Sequence, residues 1–247
     1  MNEHSLGRMQ GPALAFLAGY VDTLGFLALF GLFTAHVTGN FILIGAALAD
    51  PSHSSILLKF LAFPAFIGGV AAARVLAVVV EQRGGAVLRL AFLLELALLA
   101  GCMACGIAAT PVGDSAGPLA MAAGLLGAIA MGVHSAIGRL CLGHLAPTSM
   151  MTGNVTQIVI DTVDFLRGAD DPGLRGRFAK FLWPLLAFAL GCVIAAFGFY
   201  RFGFAALVVP LLILLGLVVL ESPVAGLAQA RILTSRSNGE TDERSKT

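Results

Sequence analysis

Long apolar runs separated by short polar breaks set the plan of this chain. Six hydrophobic blocks stand out: Pro12 to Ala49, Phe60 to Val80, Leu88 to Ala109, Pro118 to about Leu166, Phe181 to Tyr200, and Phe204 to Leu220. Turn and breaker residues lie between them, at Asp50-Pro51-Ser52, Arg83-Gly84-Gly85, Pro111 to Gly117, Asp170-Asp171-Pro172-Gly173 and Arg201 to Gly203. A helix crosses the ~30 Å hydrocarbon core of a bilayer with about 20 apolar residues, so four of the blocks predict one helix each. The first and fourth are too long for one straight helix and carry polar residues at mid-length. Each predicts either a double crossing or a single crossing with an interruption. The run from Pro12 outlasts the ~7–15-residue apolar stretch of a secretory signal, with no clean processing site after it, and predicts a retained first span. After Glu221-Ser222-Pro223 the composition turns polar, and a disordered tail is expected at 223–247.

Composition fixes the solvent. The chain is 58% hydrophobic and 12% charged, with a mean hydropathy of +0.91. Soluble domains are about 45–50% apolar and about 25% charged, and no soluble fold of this length has the interior to hide the excess. The expectation is an all-α integral membrane protein, a single membrane domain over residues 1–247 in contact with the lipid bilayer. Fifteen Lys and Arg against fourteen Asp and Glu leave a net charge of +1. That excludes the basic face a nucleic-acid partner would need. Four cysteines do not make a secreted disulfide framework in a chain of this size.

The placement of basic residues counts the crossings. With six spans and both termini cytoplasmic, Arg8, Arg83, Arg89, Arg167, Arg175, Arg177, Lys180, Arg231, Arg236, Arg244 and Lys246 fall inside, and only Lys59 and Arg201 outside. Counting each long block as two crossings moves Arg83 and Arg89 outside and weakens the contrast.

The two long blocks are also alike. Gly19-Tyr20-Val21-Asp22-Thr23-Leu24-Gly25 aligns with Gly132-Val133-His134-Ser135-Ala136-Ile137-Gly138, and Thr38-Gly39-Asn40 with Thr152-Gly153-Asn154. Lys59-Phe60-Leu61 then matches Lys180-Phe181-Leu182, Pro64 matches Pro184, Gly68 with Val70 matches Gly191 with Val193, and Gly101 matches Gly216. Two repeats follow, at about 12–109 and 117–221, each of three spans with the first broken at Thr-Gly-Asn. Three is odd, so the second half enters the membrane from the opposite side. Such inverted repeats are found in many secondary transporters.

With Gly19-Tyr20-Val21-Asp22, His36-Val37-Thr38-Gly39-Asn40 and Met151-Thr152-Gly153-Asn154-Val155-Thr156, the chain resembles the YoaK-like family from about Leu14 to Leu220. The resemblance implies a multi-span protein of the bacterial inner membrane, from a group of unknown function. It brings no substrate and no catalytic residue.

Candidate chemistry therefore comes from polar groups inside the spans, which are costly there and usually face a bundle interior or water. Asp22, beside Tyr20 and Thr23, is either a site for a coupling proton or cation or a structural aspartate that caps a helix end or pairs with an arginine. The two Thr-Gly-Asn motifs read as starts of short helices, with Thr or Asn as N-cap. Asn154, Gln157, Asp161 and Asp164 form one polar stripe after the second. Two half-helix N-termini brought together would favour an anionic or carboxylate-bearing solute, helped by His36, His144 or Arg139. Alternatively, Thr-Gly-Asn serves close helix packing. Arg74 and Glu95 predict an interhelical ion pair, and Cys102 with Cys105 predict buried apolar contacts rather than a metal or redox site.

The expected substrate-binding set is Tyr20, Asp22, His36, Thr38, Gly39, Asn40, His134, Thr152, Gly153, Asn154, Gln157 and Asp161, with no cofactor. A secondary transporter or permease of a small solute, anionic or not, comes first. A membrane-embedded enzyme using Asp22, His36, His134 and His144 competes, though no H-E-x-x-H, metal-spaced carboxylates or nucleophile elbow supports it. A non-catalytic scaffold subunit is third, and homo-oligomerisation stays open.

Overall fold

A computed structural model describes residues 3–49, 56–113, 116–168 and 171–221. The Asp50-Pro51-Ser52 break, Asp170, the Arg8 side chain and the tail at 223–247 lie outside the described residues. Those described form helices and no strand: α1 (Glu3–Ala28), α2 (Gly39–Ala49), α3 (Ile56–Gln82), α4 (Val87–Ala108), α5 (Pro118–Leu140), α6 (Met151–Leu166), α7 (Leu174–Phe202), a 3-10 turn (Gly203–Leu207) and α8 (Val208–Leu220). Among the described residues five segments are long and apolar enough to cross a membrane. The last is a 47-residue tract, Leu174–Leu220, more than twice the length one crossing needs. Its helix breaks at Gly203, which takes φ +58°. Its hydrophobicity does not break, because the 3-10 turn is itself apolar.

Both long blocks are interrupted. α1 stops at Ala28, and the chain reverses through Phe30 (φ +56°) and Gly31 (φ +73°). A bulky residue rarely adopts positive φ. Here the Phe30 carbonyl accepts a hydrogen bond from Lys59 Nζ, which secures the turn. Lys59 is thus buried in the first turns of α3 rather than lying in an outer loop. In the second half α5 stops at Leu140, and the irregular stretch 141–150 holds Gly143 and Pro147, both poor helix residues.

Packing is dominated by two pairs, α1 along α7 and α3 along α5, with α4 also laid against α5. Glycines let the backbones touch. A Cβ on Gly19 would stand 2.4 Å from the Phe188 carbonyl oxygen, and one on Gly191 would stand 2.2 Å from that of Phe16. In the other pair the distances are 2.2 Å from Gly132 to the Phe66 oxygen and 2.1 Å from Gly69 to that of Ile129. Small residues at a crossing are how membrane helices gain close van der Waals contact, since lipid supplies no hydrophobic drive between them. Gly68, the sequence landmark, has no atom within 4 Å of such a Cβ; its neighbour Gly69 makes the contact.

The outer surface is apolar. Trp183, Leu186, Leu190, Val193, Phe197 and Tyr200 are all exposed along α7. Trp183 and Tyr200 lie about 25 Å apart at ~1.5 Å per residue, the spacing of aromatic belts at the two faces of a bilayer.

Candidate functional site

Backbone that leaves a helix at membrane depth needs hydrogen-bond partners, because lipid offers none. At the first break, side chains supply them. Asp22 Oδ1 accepts from the backbone N–H of Thr34 (2.7 Å) and Ala35 (2.8 Å) and from the Thr34 hydroxyl (3.3 Å). Its Oδ2 lies 2.7 Å from His36 Nδ1. With a carboxylate there, His36 donates from Nδ1, and in the protonated ring Nε2 is a second donor. Asn40 spans the same segment: its Nδ2 donates to the Phe33 carbonyl (2.8 Å), and its Oδ1 accepts from the Phe33 N–H (2.9 Å).

An open cavity of about 560 Å³ sits beside this knot. Asp22, Thr23, His36, Thr38 and Gly39 line it together with Phe26, Phe33, Ile42, Phe188 and Cys192. The walls are chiefly apolar. His36 packs edge-on to Phe188 with ring centroids 5.7 Å apart. Tyr20 is not among the lining residues; its hydroxyl donates to the Ala206 carbonyl (2.9 Å) and ties α1 to the 3-10 turn.

At the second break His134 takes the place of Asp22 as the tie to the preceding helix. His134 Nε2 lies 3.0 Å from Thr148 Oγ1, and its Nδ1 lies 2.9 Å from Glu95 Oε1. Asn154 Nδ2 donates to the Pro147 carbonyl (2.9 Å), again seven residues back. Residue 147 is proline and has no N–H to return, so the Asn154 Oδ1 is buried without a partner. The Asn of each motif therefore reaches back to the irregular stretch and does not cap a helix. Met150 is the N-cap of α6, and it makes no side-chain bond there. Non-local backbone demand outweighs the local capping preference.

Thr152 and Gly153 are exposed on α6. Further along, Gln157 Nε2 donates to Asp161 Oδ1 (2.9 Å), which also accepts from Arg177 Nε (2.8 Å). Arg177 bridges on to Asp171 at 2.9 Å. The Gly173 N–H, and then Arg177, hold the Asp171 carboxyl below its ordinary value.

The predicted residues thus fall into separate groups. Asp22, His36, Thr38, Gly39 and Asn40 gather at the first break, His134 and Asn154 at the second, and Gln157 with Asp161 on α6, where Asp161 meets Arg177 of α7. The two short helices pack on α3 and α7 respectively, rather than on each other. Glu95 pairs with His134, not with Arg74, which is exposed on α3. Arg139 and His144 are exposed too. All four cysteines are free. Thr34 and Thr148 escaped the sequence reading, yet each precedes its Asn by the same spacing.

The asymmetry of the two asparagines has a measurable consequence. Asn40→Ala removes two hydrogen bonds and orphans both the N–H and the carbonyl of Phe33, whereas Asn154→Ala orphans one carbonyl and deletes an unsatisfied oxygen. At ~1–3 kcal/mol per stranded buried group, Asn40→Ala is expected to lower thermal stability in detergent by clearly more than Asn154→Ala. Equal losses would contradict the bonding described.

A family model described as "Protein of unknown function (DUF1275)" matches residues 10–220. The UPF0700 transmembrane protein YoaK of Bacillus subtilis (strain 168) is 39% identical over 57 residues, which cover 23% of this chain and 25% of that protein. The matched stretch is therefore about a quarter of the relative's length. No solved structure matches. The family match begins in α1 and ends at the last residue of α8, over five apolar segments of membrane-crossing length, and on that ground the chain belongs to the DUF1275 family as a membrane protein.

Proposed function

We propose that the chain is a secondary transporter or permease of a small solute, built from two inverted three-span repeats in the bacterial inner membrane. The crossed packing carries this reading. If α1 to α4 are one repeat and α5 to α8 the other, α1 against α7 is the counterpart of α5 against α3. The glycine contacts of Gly19 with Gly191 have their counterpart in those of Gly132 with Gly69. Two halves related by an in-plane pseudo-two-fold would exchange helices in this way, and transport would follow from rocking of one pair against the other. The 47-residue tract then supplies two crossings, making six. Gln10 Nε2 donates to Glu221 Oε1 at 2.7 Å, so α1 starts where α8 ends, in keeping with both termini cytoplasmic.

The cavity at the first break is the solute site in this reading. Its apolar walls suit a solute with an apolar body. Its polar end, made by His36, Thr38 and the N-terminus of α2, suits an anionic or carbonyl group. The full chain in proteoliposomes, screened with small carboxylates and neutral analogues of matched size, tests this. Saturable uptake is expected, and His36→Ala should weaken it about tenfold, the worth of one charge-assisted hydrogen bond. Chemical conversion of the solute would replace the reading with an enzyme. An unaffected His36→Ala variant would move the site elsewhere.

A further inference from the structure

We propose that Glu95, His134 and Thr148 form a buried proton-binding site that governs how the second break is seated. Three elements meet here: Glu95 on α4, His134 on α5 and Thr148 on the irregular stretch 141–150. Glu95 is 0% exposed and His134 2%, and the second carboxyl oxygen of Glu95, Oε2, is buried with no hydrogen-bond partner. Asp22 at the first break is different, because both its oxygens are engaged by the turn it holds.

The hydrogen bonds define two states one proton apart. Without the extra proton, carboxylate Glu95 accepts from His134 Nδ1–H, and Nε2 accepts the Thr148 hydroxyl. The cluster then carries one negative charge away from water, which is costly unless a cation pairs with it. Adding one proton makes it neutral, either as carboxylic acid with neutral imidazole or as carboxylate with imidazolium. With the acid proton on Oε1 donating to Nδ1, or with imidazolium, Nε2 bears hydrogen and donates to Thr148 Oγ1, so the Thr148 hydroxyl hydrogen must turn to another acceptor. The proton enters by the same route: Oγ1 takes one from outside as it passes its own to Nε2. In the imidazolium form no other bond changes; in the carboxylic-acid form the Nδ1 hydrogen also passes to Glu95 Oε1.

Charged groups on the surrounding elements do not relieve the cluster. Of those on α3, Lys59 donates to the Phe30 carbonyl, and Arg74 and Glu81 are exposed. On α4 itself Arg89 lies nearly two turns before Glu95, and on α5 Arg139 is exposed. On α1 Asp22 is bound to His36; on the break His144 is exposed, and on α7 so are Arg175, Lys180 and Arg201. Arg177 is taken by Asp161 and Asp171. Between Val208 and Leu220 α8 has no charge. Among the described residues His134 alone is within ion-pair distance of Glu95.

The site stands whether or not the chain transports a solute. Infrared difference spectroscopy of the full chain in lipid nanodiscs, stepped through pH, reads it directly. Acidification should bring up a carboxylic C=O or an imidazolium band that is absent in Glu95→Gln and in His134→Gln and retained in Asp22→Asn. Glu95→Asp, which keeps the acid if the amide variant does not fold, should shift the band. Hydrogen exchange in residues 141–150, corrected for intrinsic rates, should change over the same pH range in the parent and not in Thr148→Val. A band that survives Glu95→Gln or is unmoved by Glu95→Asp, no titrating band in the parent, or exchange unaltered by Thr148→Val would overturn the proposal.

Discussion

Adding one methyl at Gly132 is expected to push α3 and α5 apart. The new Cβ would lie 2.2 Å from the Phe66 carbonyl oxygen and 3.1 Å from the Val70 nitrogen. Both atoms belong to the α3 backbone, so no side chain can rotate away, and the helix must move as a body. Overpacking a well-filled interior costs ~1–3 kcal/mol, and rigid backbone on the receiving side puts this site at or beyond the upper end. Gly191→Ala meets the Phe16 carbonyl in the same way at 2.2 Å and should behave alike. Gly68→Ala is the control: one residue from the Gly69 contact, it finds nothing within 4 Å. It should be neutral or gain up to ~1 kcal/mol from helix propensity. Thermal unfolding of the purified variants in mild detergent ranks them. A Gly68→Ala variant as damaged as Gly132→Ala would show that glycine serves backbone flexibility here and not close approach.

That pair of adjacent glycines also marks what could be read from the chain. Apolar block lengths placed helices well, and the breaker residues at Arg83-Gly84-Gly85 and Arg201 to Gly203 fell where helices end. Gly68 and Gly69 differ by ~100° around the helix, and nothing in the sequence told which of them faces α5. Consecutive spans point to Arg74 as the partner of Glu95, yet α4 packs far more on α5 than on α3, and there Glu95 meets His134. Periodicity gives a helix a face; it does not name the helix across from it. The N-cap reading of Thr-Gly-Asn fails at the second motif, where Met150 holds that position, and for asparagine at both, for a related reason. Capping preferences are local, and these asparagines answer the hydrogen-bonding needs of backbone seven residues away. The residue pattern alone does not separate a solute or ion site from a structural role for Asp22; its four hydrogen bonds commit it to the turn.

Asp22→Ala is the substitution expected to do most harm at the first break. It strands the buried N–H groups of Thr34 and Ala35 and removes the partner of His36 Nδ1. At ~1–3 kcal/mol for each stranded donor the loss is on the order of 4 kcal/mol, enough to release the segment that forms one wall of the cavity. Asp22→Asn should be far milder, on the order of 1 kcal/mol. The amide oxygen can still accept from both N–H groups. Its NH2 then faces His36, which accommodates it by moving its proton to Nε2 and accepting at Nδ1. Hydrogen exchange at Thr34 and Ala35, together with thermal unfolding, separates the cases. Fast exchange in the alanine variant with near-parental protection in the asparagine variant would establish Asp22 as the acceptor that holds the turn. If both variants lost protection alike, the negative charge and not the hydrogen-bonding geometry would be the requirement. The same pair bears on transport. An aspartate whose oxygens are committed to the turn has little left for a coupling cation, so Asp22→Asn should keep solute uptake where Asp22→Ala abolishes it. Loss of uptake in a well-folded Asp22→Asn variant would return the carboxylate to the solute pathway.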